Sequence, residues 1–321
     1  MCNKMTFNEL LSYIKELDGV LLLTHKRPDG DTLGCAAGLC AILRKLGKTA
    51  FVLDNPEATP LNRSYILPYL APADFQPESI IAVDTASLPL FPAAAKNWLE
   101  KGVTLAIDHH TSHRDYSTHN YVDVSAAACG EIIYQLAEAL GLMDAEIAIP
   151  LYVAVSTDTG CFVYANTTPQ THQIAAALMM YDINYVNLNR LHFQTKSFRR
   201  MKLEGMLIDN MHLYDEGRLA VTVLTMEMLE QLQAVEEDAE DIAPVIASLE
   251  GAQTTITLRE IESTLCKVSV RTTTEMNAND ICAQVGGGGH PGAAGALLRR
   301  TAEQSEELMV SCYFTVKGKM E

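Results

Sequence analysis

Short hydrophobic runs recur through the first half of the chain, each followed by a polar turn and a longer segment of mixed character. The runs at 20–24, 50–53, 79–83, 103–107 and 149–155 read as buried strands. Segments 35–46, 91–101, 130–140 and 171–181 carry helical character, and residues 1–18 pattern as a polar amphipathic helix. Strands separated by crossovers of this length predict a parallel sheet with helices on both faces, an α/β arrangement.

The second half has a different rhythm. Segment 187–210 reads mostly as a helix joining two domains, with Arg190, Lys196, Arg199, Arg200 and Lys202 in an otherwise acidic chain. That cluster is either an exposed basic face or an anion-attracting surface, with Arg199 and Arg200 the pair of interest. Beyond it, strands are expected at 218–225, 254–260 and 264–271, and helices at 242–249 and 278–285. The acidic run 236–241 reads as a solvated loop or a helix cap. The predicted plan is therefore a domain over 1–186, a helical linker over 187–210 and a smaller α/β domain over 211–321.

Composition limits what such a chain can serve. Its 321 residues, 48% hydrophobic, suffice for two ordinary domains with cores. A balance of 24 basic against 40 acidic residues, net −16, argues against tight binding of long duplex nucleic acid. A short phosphate ester gripped locally is compatible with it. The eight cysteines show no CxxC pair or regular framework, which predicts buried reduced thiols. No leader pattern appears and no apolar run reaches the length of a membrane span, so the expected location is the cytoplasm.

Candidate chemistry lies at the carboxyl ends of the predicted strands. The first run ends in His25, with Asp29 and Asp31 just beyond; the third ends in Asp84, the fourth in Asp108, His109 and His110, and the fifth leads to Asp158. Each has a plain alternative: Pro28-Asp29-Gly30-Asp31 is also a turn with helix caps, and Asp84 alone could cap a helix. Three ionisable side chains at 108–110 gain nothing as core, and open α/β sheets bind ligands outside those strand ends. The repeated placement points to two-metal phosphoryl transfer to water. Mixed His/Asp ligation suits manganese better than an all-oxygen magnesium site. In the second domain, Gly286, Gly287, Gly288 and Gly289 precede His290, an entropically costly run whose bare amides can approach a phosphate or a base closely.

The loop from His25 to Gly34, the segment Ala82-Val83-Asp84, the triplet Asp108-His109-His110 and the segment from Ser156 to Gly160 resemble the four motifs of the DHH phosphoesterase family. The ending from Gly286 through His290 to Ala296 resembles the signature of its type-1 DHH-associated domain. The likeness runs over nearly the whole chain. It is nearest to short members that act as oligoribonucleases and as 3'-phosphoadenosine 5'-phosphate phosphatases.

This resemblance implies that His25, Asp29 and Asp84 hold one manganese, and that Asp31, Asp84, His109 and Asp158 hold the other, with magnesium or cobalt as alternatives. It implies that His110 faces the scissile phosphate and that Asp108 orients the histidines. Arg271, Gly286 to Gly289 and His290 would hold the nucleotide end of a short RNA or nucleotide bisphosphate across a cleft between the domains, with Arg199 a further candidate. His113 stands where an asparagine is expected, and is read as a surface or supporting residue. His119, His192 and His212 have no partners visible in the sequence. Other readings are a cyclic di-AMP or pApA phosphodiesterase and, outside the enzymes, a nucleotide-sensing module. Apolar helices of the first domain could pair two chains.

Overall fold

The computed structural model describes residues 3–239, 242–273 and 276–319. Cys2, and Glu240 and Asp241 of the acidic run, lie outside them. The chain divides into two compact units, Met1–Thr195 and Lys196–Glu321.

The first unit is built on six strands, β1 (Asn3–Lys4), β2 (Val20–Leu23), β3 (Ala50–Val52), β4 (Ser79–Val83), β5 (Val103–Asp108) and β6 (Ser117–Val122). They lie in the order β1-β6-β5-β4-β2-β3, and every neighbouring pair is parallel. The central strands are apolar on both faces because both faces are covered, as in other parallel sheets. From β2 the chain first adds β3 on one side and then β4 on the other. That reversal opens a crevice at the carboxyl ends of β2 and β4, where such sheets bind ligands.

The run at 149–155 is not a strand. It lies within the helix Ala145–Asp158, capped by the Asp144 side chain accepting from the amide of Ile147. This helix packs among Gly30–Lys45, Cys129–Leu140 and Pro169–Leu178 and is apolar all round, so the periodicity that marks a surface helix is lost. Its contact with Gly30–Lys45 is close: a Cβ on Gly34 would fall 2.3 Å from the carbonyl oxygen of Pro150. The expected helix over 91–101 is reduced to a 3₁₀ turn at Ala93–Ala95 and one turn at Lys96–Leu99, started by Pro92 and ended before Gly102. Strand β6 was not anticipated, because Ser117, Thr118, His119 and Asn120 interrupt its apolar character.

The segment expected as a linker is divided. Tyr185–Asn189 and a π-helical turn at Arg190–Gln194 belong to the first unit, and Phe198–Asp209 belongs to the second. Leu203 and Leu207 of that last helix are buried against Leu224 and Ile242. The second unit is organised on β7 (His212–Tyr214), β8 (Leu219–Leu224), β9 (Thr254–Glu262), β10 (Leu265–Thr272), β11 (Gly288–His290) and β12 (Ala293–Leu298). Their order is β11-β12-β10-β9-β8-β7; β8 and β9 are parallel and the other neighbours antiparallel. The C-terminal helix Ala302–Lys317, also unanticipated, buries Met309, Cys312 and Tyr313 against Val268, Val270 and Ile281.

Candidate metal centre

The centre assembles from the carboxyl ends of β2, β4 and β5 and from the end of the helix Ala145–Asp158. Asp29 caps the helix Gly30–Lys45, its carboxylate accepting from the Thr32 amide at 3.1 Å. Asp31, in the first turn, is buried and accepts from the amides of Cys129 at 2.7 Å and Gly130 at 2.9 Å. These are free donors at the start of the helix Cys129–Leu140, whose dipole favours a carboxylate there. Asp84 adopts φ 50°, a left-handed conformation costly for a non-glycine residue, which places its side chain between two imidazoles.

Both imidazoles are oriented from behind. His25 donates from Nδ1 to the carbonyl of Lys26 at 2.9 Å, and His109 donates from Nδ1 to that of Ala126 at 3.2 Å. Each therefore points Nε2 forward, the nitrogen that binds a metal once its proton is displaced. Nε2 of His25 lies 3.7 Å from both Asp29 and Asp84, and Nε2 of His109 lies 3.4 Å from Asp84, 3.8 Å from Asp31 and 3.7 Å from Asp158. Ligand atoms of His25, Asp29 and Asp84 form one group within 4.8 Å of one another, and those of Asp31, His109 and Asp158 another. The Oδ1 atom of Asp84 is buried without a hydrogen-bond partner, a costly state that a bound cation would relieve. Asp158 thus reaches the cluster, but from a helix end and not from a fifth strand.

The titration of the cluster reflects the same crowding. Burial pulls the His25 imidazolium down, yet Asp29 and Asp84 outweigh it and push the group up to about 11. Burial likewise opposes Asp84, Asp31 and Asp158 at His109, which rises to about 10. Burial, with Asp84 and Asp158 adding, holds Asp31 well above the usual carboxylate range. Burial also raises Asp158 to about 6 against the pull of His109. The protons on His25 and His109 supply the positive charge that the convergent carboxylates demand. The donor set of imidazole nitrogens and carboxylates fits divalent cations in their place.

Asp108 takes no part in this donor set. It is fully buried and accepts from the amides of His109 and His110, from Nδ1 of His110 at 2.7 Å and from Nδ1 of His113 at 2.6 Å. Burial opposes ionisation, but the two histidines hold its carboxyl well below the usual range. Committing its Nδ1 proton to Asp108 leaves His110 with Nε2 facing outward on a side chain 42% exposed.

His113 is the residue that sequence reasoning underrated. Its side chain is 4% exposed, and its two nitrogens meet Asp108 Oδ2 and, at 2.9 Å, Asn120 Oδ1. The Asn120 amide is fixed by donating to the Ser117 carbonyl, so both partners of the ring are acceptors and the ring is an imidazolium. Its position five residues after Asp108 on a tight turn was the available signal.

The remaining candidates lie elsewhere. His192 shares a hydrogen bond with Tyr65 at 2.8 Å, His212 donates to Glu306 at 2.7 Å, and His119 packs on Tyr13, so all three have partners. Arg199 donates to Asp238 at 2.9 Å, and Arg200 to Glu204 and the Asp238 carbonyl. Glu236 and Glu237 of the acidic run are exposed, as a solvated segment would be, whereas Asp238 is buried, accepts from the Val235 amide at 3.0 Å and ties down the basic pair. Arg271 is opposite Ala293, which is in turn opposite His290, so the three side chains stand in one row on one face of the sheet. The glycine run is half hairpin: β11 begins at Gly288, and a Cβ on Gly287 would fall 2.4 Å from the Gly295 carbonyl oxygen.

The two units match two known domain types. Residues 19–155 match the DHH family N-terminal domain, and residues 219–310 match the DHHA1 domain. The chain belongs to the DHH family of phosphoesterases. It is 33% identical to the bifunctional oligoribonuclease and PAP phosphatase NrnA of Thermus thermophilus, over 89% of this chain and 86% of that one. Identity to the protein of the same name from Bacillus subtilis is 28%, over 90% and 92%. The fold is shared with an exopolyphosphatase-related protein from Bacteroides fragilis, with a TM-score of 0.86, 22% identity, and 97% and 96% of the two chains covered.

Proposed function

We propose that this protein is a two-metal phosphoesterase that hydrolyses short oligoribonucleotides to 5' mononucleotides and 3'-phosphoadenosine 5'-phosphate to AMP and phosphate. The observation that carries the reading is the gathering of His25, Asp29, Asp31, Asp84, His109 and Asp158 around one buried, unpartnered carboxylate oxygen. Asp84, grouped with His25 and Asp29 on one side and with His109 and His110 on the other, would bridge the sites. Two bound manganese ions would acidify a water and neutralise the charge developing on the phosphoryl group. Asp108 fixes the His110 ring so that Nε2 addresses a phosphoryl oxygen, and His113 holds Asp108 ionised from the other side.

In the second unit, we assign nucleotide recognition to Arg271, Gly286, Gly287, Gly288, Gly289 and His290. The row formed by Arg271 and His290 beside the hairpin supports it. Arg199, engaged by Asp238, is a weaker contributor to the same task. A reducing cytoplasm suits the seven described cysteines, all of them free thiols. Among the described residues, no helix is long and apolar enough to cross a membrane.

The test is a substrate panel with purified protein and manganese: RNAs of two to five nucleotides, 3'-phosphoadenosine 5'-phosphate, cyclic di-AMP and pyrophosphate. Turnover is expected on the first two and is lost on chelation. Preferential turnover of cyclic di-AMP or pyrophosphate, with none on RNA, overturns the assignment.

A further inference from the structure

A second cavity, of about 360 Å³, adjoins the metal centre within the first unit. Lys4, Met5, Thr111, Val122 and Val124 are among its lining residues, and His110 is another. Such a volume falls within the range of about 300–1,000 Å³ typical of small-molecule sites. The cavity opens at the same sheet edge as the metal centre. Met5 follows β1 and donates to the Asn120 carbonyl of β6 at 2.9 Å, and Val122 of β6 pairs with Asp108 of β5. On the metal side, His110 Nδ1 is 3.6 Å from Asp84. Two residues beyond Val124, the carbonyl of Ala126 orients His109. Cavity and centre thus share a wall and a loop.

We propose that this cavity receives the nucleoside that stays attached to the scissile phosphorus of an oligoribonucleotide. The inference rests on the phosphoesterase reading above. Hydrolysis to 5' mononucleotides joins a water oxygen to phosphorus and breaks the bond from phosphorus to the 3' oxygen, which takes up a proton. The phosphorus remains on the 5' oxygen of the next nucleoside. In 3'-phosphoadenosine 5'-phosphate the same phosphorus carries no further group and leaves as inorganic phosphate. An enzyme that accepts both must have room, beside the phosphoryl position, for one nucleoside that only the first substrate brings.

The lining suits a nucleoside. Met5, Val122 and Val124 offer an apolar surface for a base, and Val124 is 59% exposed with nothing covering it among the described residues. Thr111 and the Lys4–Asp115 pair, 4.0 Å apart, provide hydroxyl, cation and carboxylate partners for a ribose and its next phosphate. The carboxylate at this rim disfavours a bare anion as the occupant.

The experiment measures kcat/KM for a diribonucleotide carrying a 5' phosphate and for 3'-phosphoadenosine 5'-phosphate, in the wild type and in Val124→Trp. Filling the cavity from an exposed position removes no core packing, so the ratio of the two values is expected to fall about tenfold or more, chiefly through the KM of the dinucleotide. If Val124→Trp does not fold, Val124→Phe makes the same comparison. A ratio within twofold of the wild type overturns the subsite, whether both rates fall or neither does. A wild type that cleaves only 3'-phosphoadenosine 5'-phosphate overturns the subsite alone; one that cleaves neither defeats the parent reading as well.

Discussion

The acidic centre of the first unit and the glycine hairpin of the second, to which we assign catalysis and recognition, are constrained in opposite ways. Around Asp84 the carboxylates of Asp31 and Asp108 are buried, and most side chains are held by a second group: amides hold Asp31, carbonyls hold His25 and His109, and two histidines hold Asp108. Around Gly288 and His290 the strand is exposed, and among the described residues the Arg271 guanidinium donates to the Val270 carbonyl at 3.1 Å. Fixed geometry and a shared deficit of positive charge characterise a place where bonds are broken. An exposed edge beside a cation held by a backbone carbonyl suits a place that grips and releases. The contrast predicts that damage to the first unit removes turnover, whereas damage to the second weakens affinity.

The largest effect is expected at Asp84. Asp84→Ala removes the carboxylate that lies between His25 and His109, and kcat is expected to fall by about 10³-fold or more, since cations of this kind contribute several kcal/mol to the transition state. The far-UV circular dichroism should stay native, because removing one carboxylate relieves its repulsion of Asp31 and Asp158. Retained turnover with manganese refutes the centre.

Metal affinity should itself depend on pH. His25 and His109 titrate at about 11 and about 10 without metal, so a cation must displace protons that are present at neutrality. Affinity is expected to rise by about a decade per pH unit for each displaced proton, as measured by calorimetric titration from pH 6 to 9. The metal-free protein responds with the opposite sign. Both folded values lie above the unfolded imidazole value of about 6.5, so their stabilisation is complete below it and is lost as pH rises towards 10. Thermal unfolding in chelator should therefore show a falling Tm over that window, and a rising one with manganese present.

Smaller losses should follow from groups that act through others. Asp108→Asn leaves His110 without its anchor and His113 without its counter-charge, and a fall of about 10–100-fold in kcat is expected, with KM little changed. His113→Asn can still bridge towards Asn120 and should retain more activity than His113→Ala. Equal loss in the two variants denies His113 a positioning role.

How much of this was legible in the sequence depends on which physical signal each residue leaves. His25, Asp31, Asp84 and His109 were readable because each follows an apolar run whose strand ends where the crevice opens. Asp158 was assigned to the right cluster from the wrong element, since a helix buried on all sides leaves the same unbroken apolar run as a strand. The partners of His192 and His212 were invisible because Tyr65 and Glu306 lie 127 and 94 residues away in the chain. Strands β11 and β12 were hidden by glycine and alanine, which carry no β signal and are chosen there for close approach.

On the second unit, Arg271→Ala should raise KM by about tenfold and leave kcat near the wild-type value, the size expected for one charge-assisted hydrogen bond. A kcat loss with unchanged KM contradicts the division between the units.

The smallest effect separates the two tasks of the glycine run. A Cβ on Gly287 meets the Gly295 carbonyl oxygen at 2.4 Å and the Ala296 Cβ at 2.6 Å, and one on Gly289 meets the Ala293 carbonyl oxygen at 2.5 Å, so these two glycines are required by the hairpin itself. At Gly288 the nearest heavy atom is Asn279 Oδ1 at 3.6 Å, which leaves ordinary space for a methyl group. Packing alone therefore predicts that Gly287→Ala costs about 1–3 kcal/mol through strain while Gly288→Ala stays within about 0.5 kcal/mol. If the bare strand at 288 also serves to let a nucleotide approach, Gly288→Ala should raise KM severalfold at unchanged Tm. An unaltered KM at unaltered Tm assigns the whole run to the turn and moves recognition to Arg271 and His290.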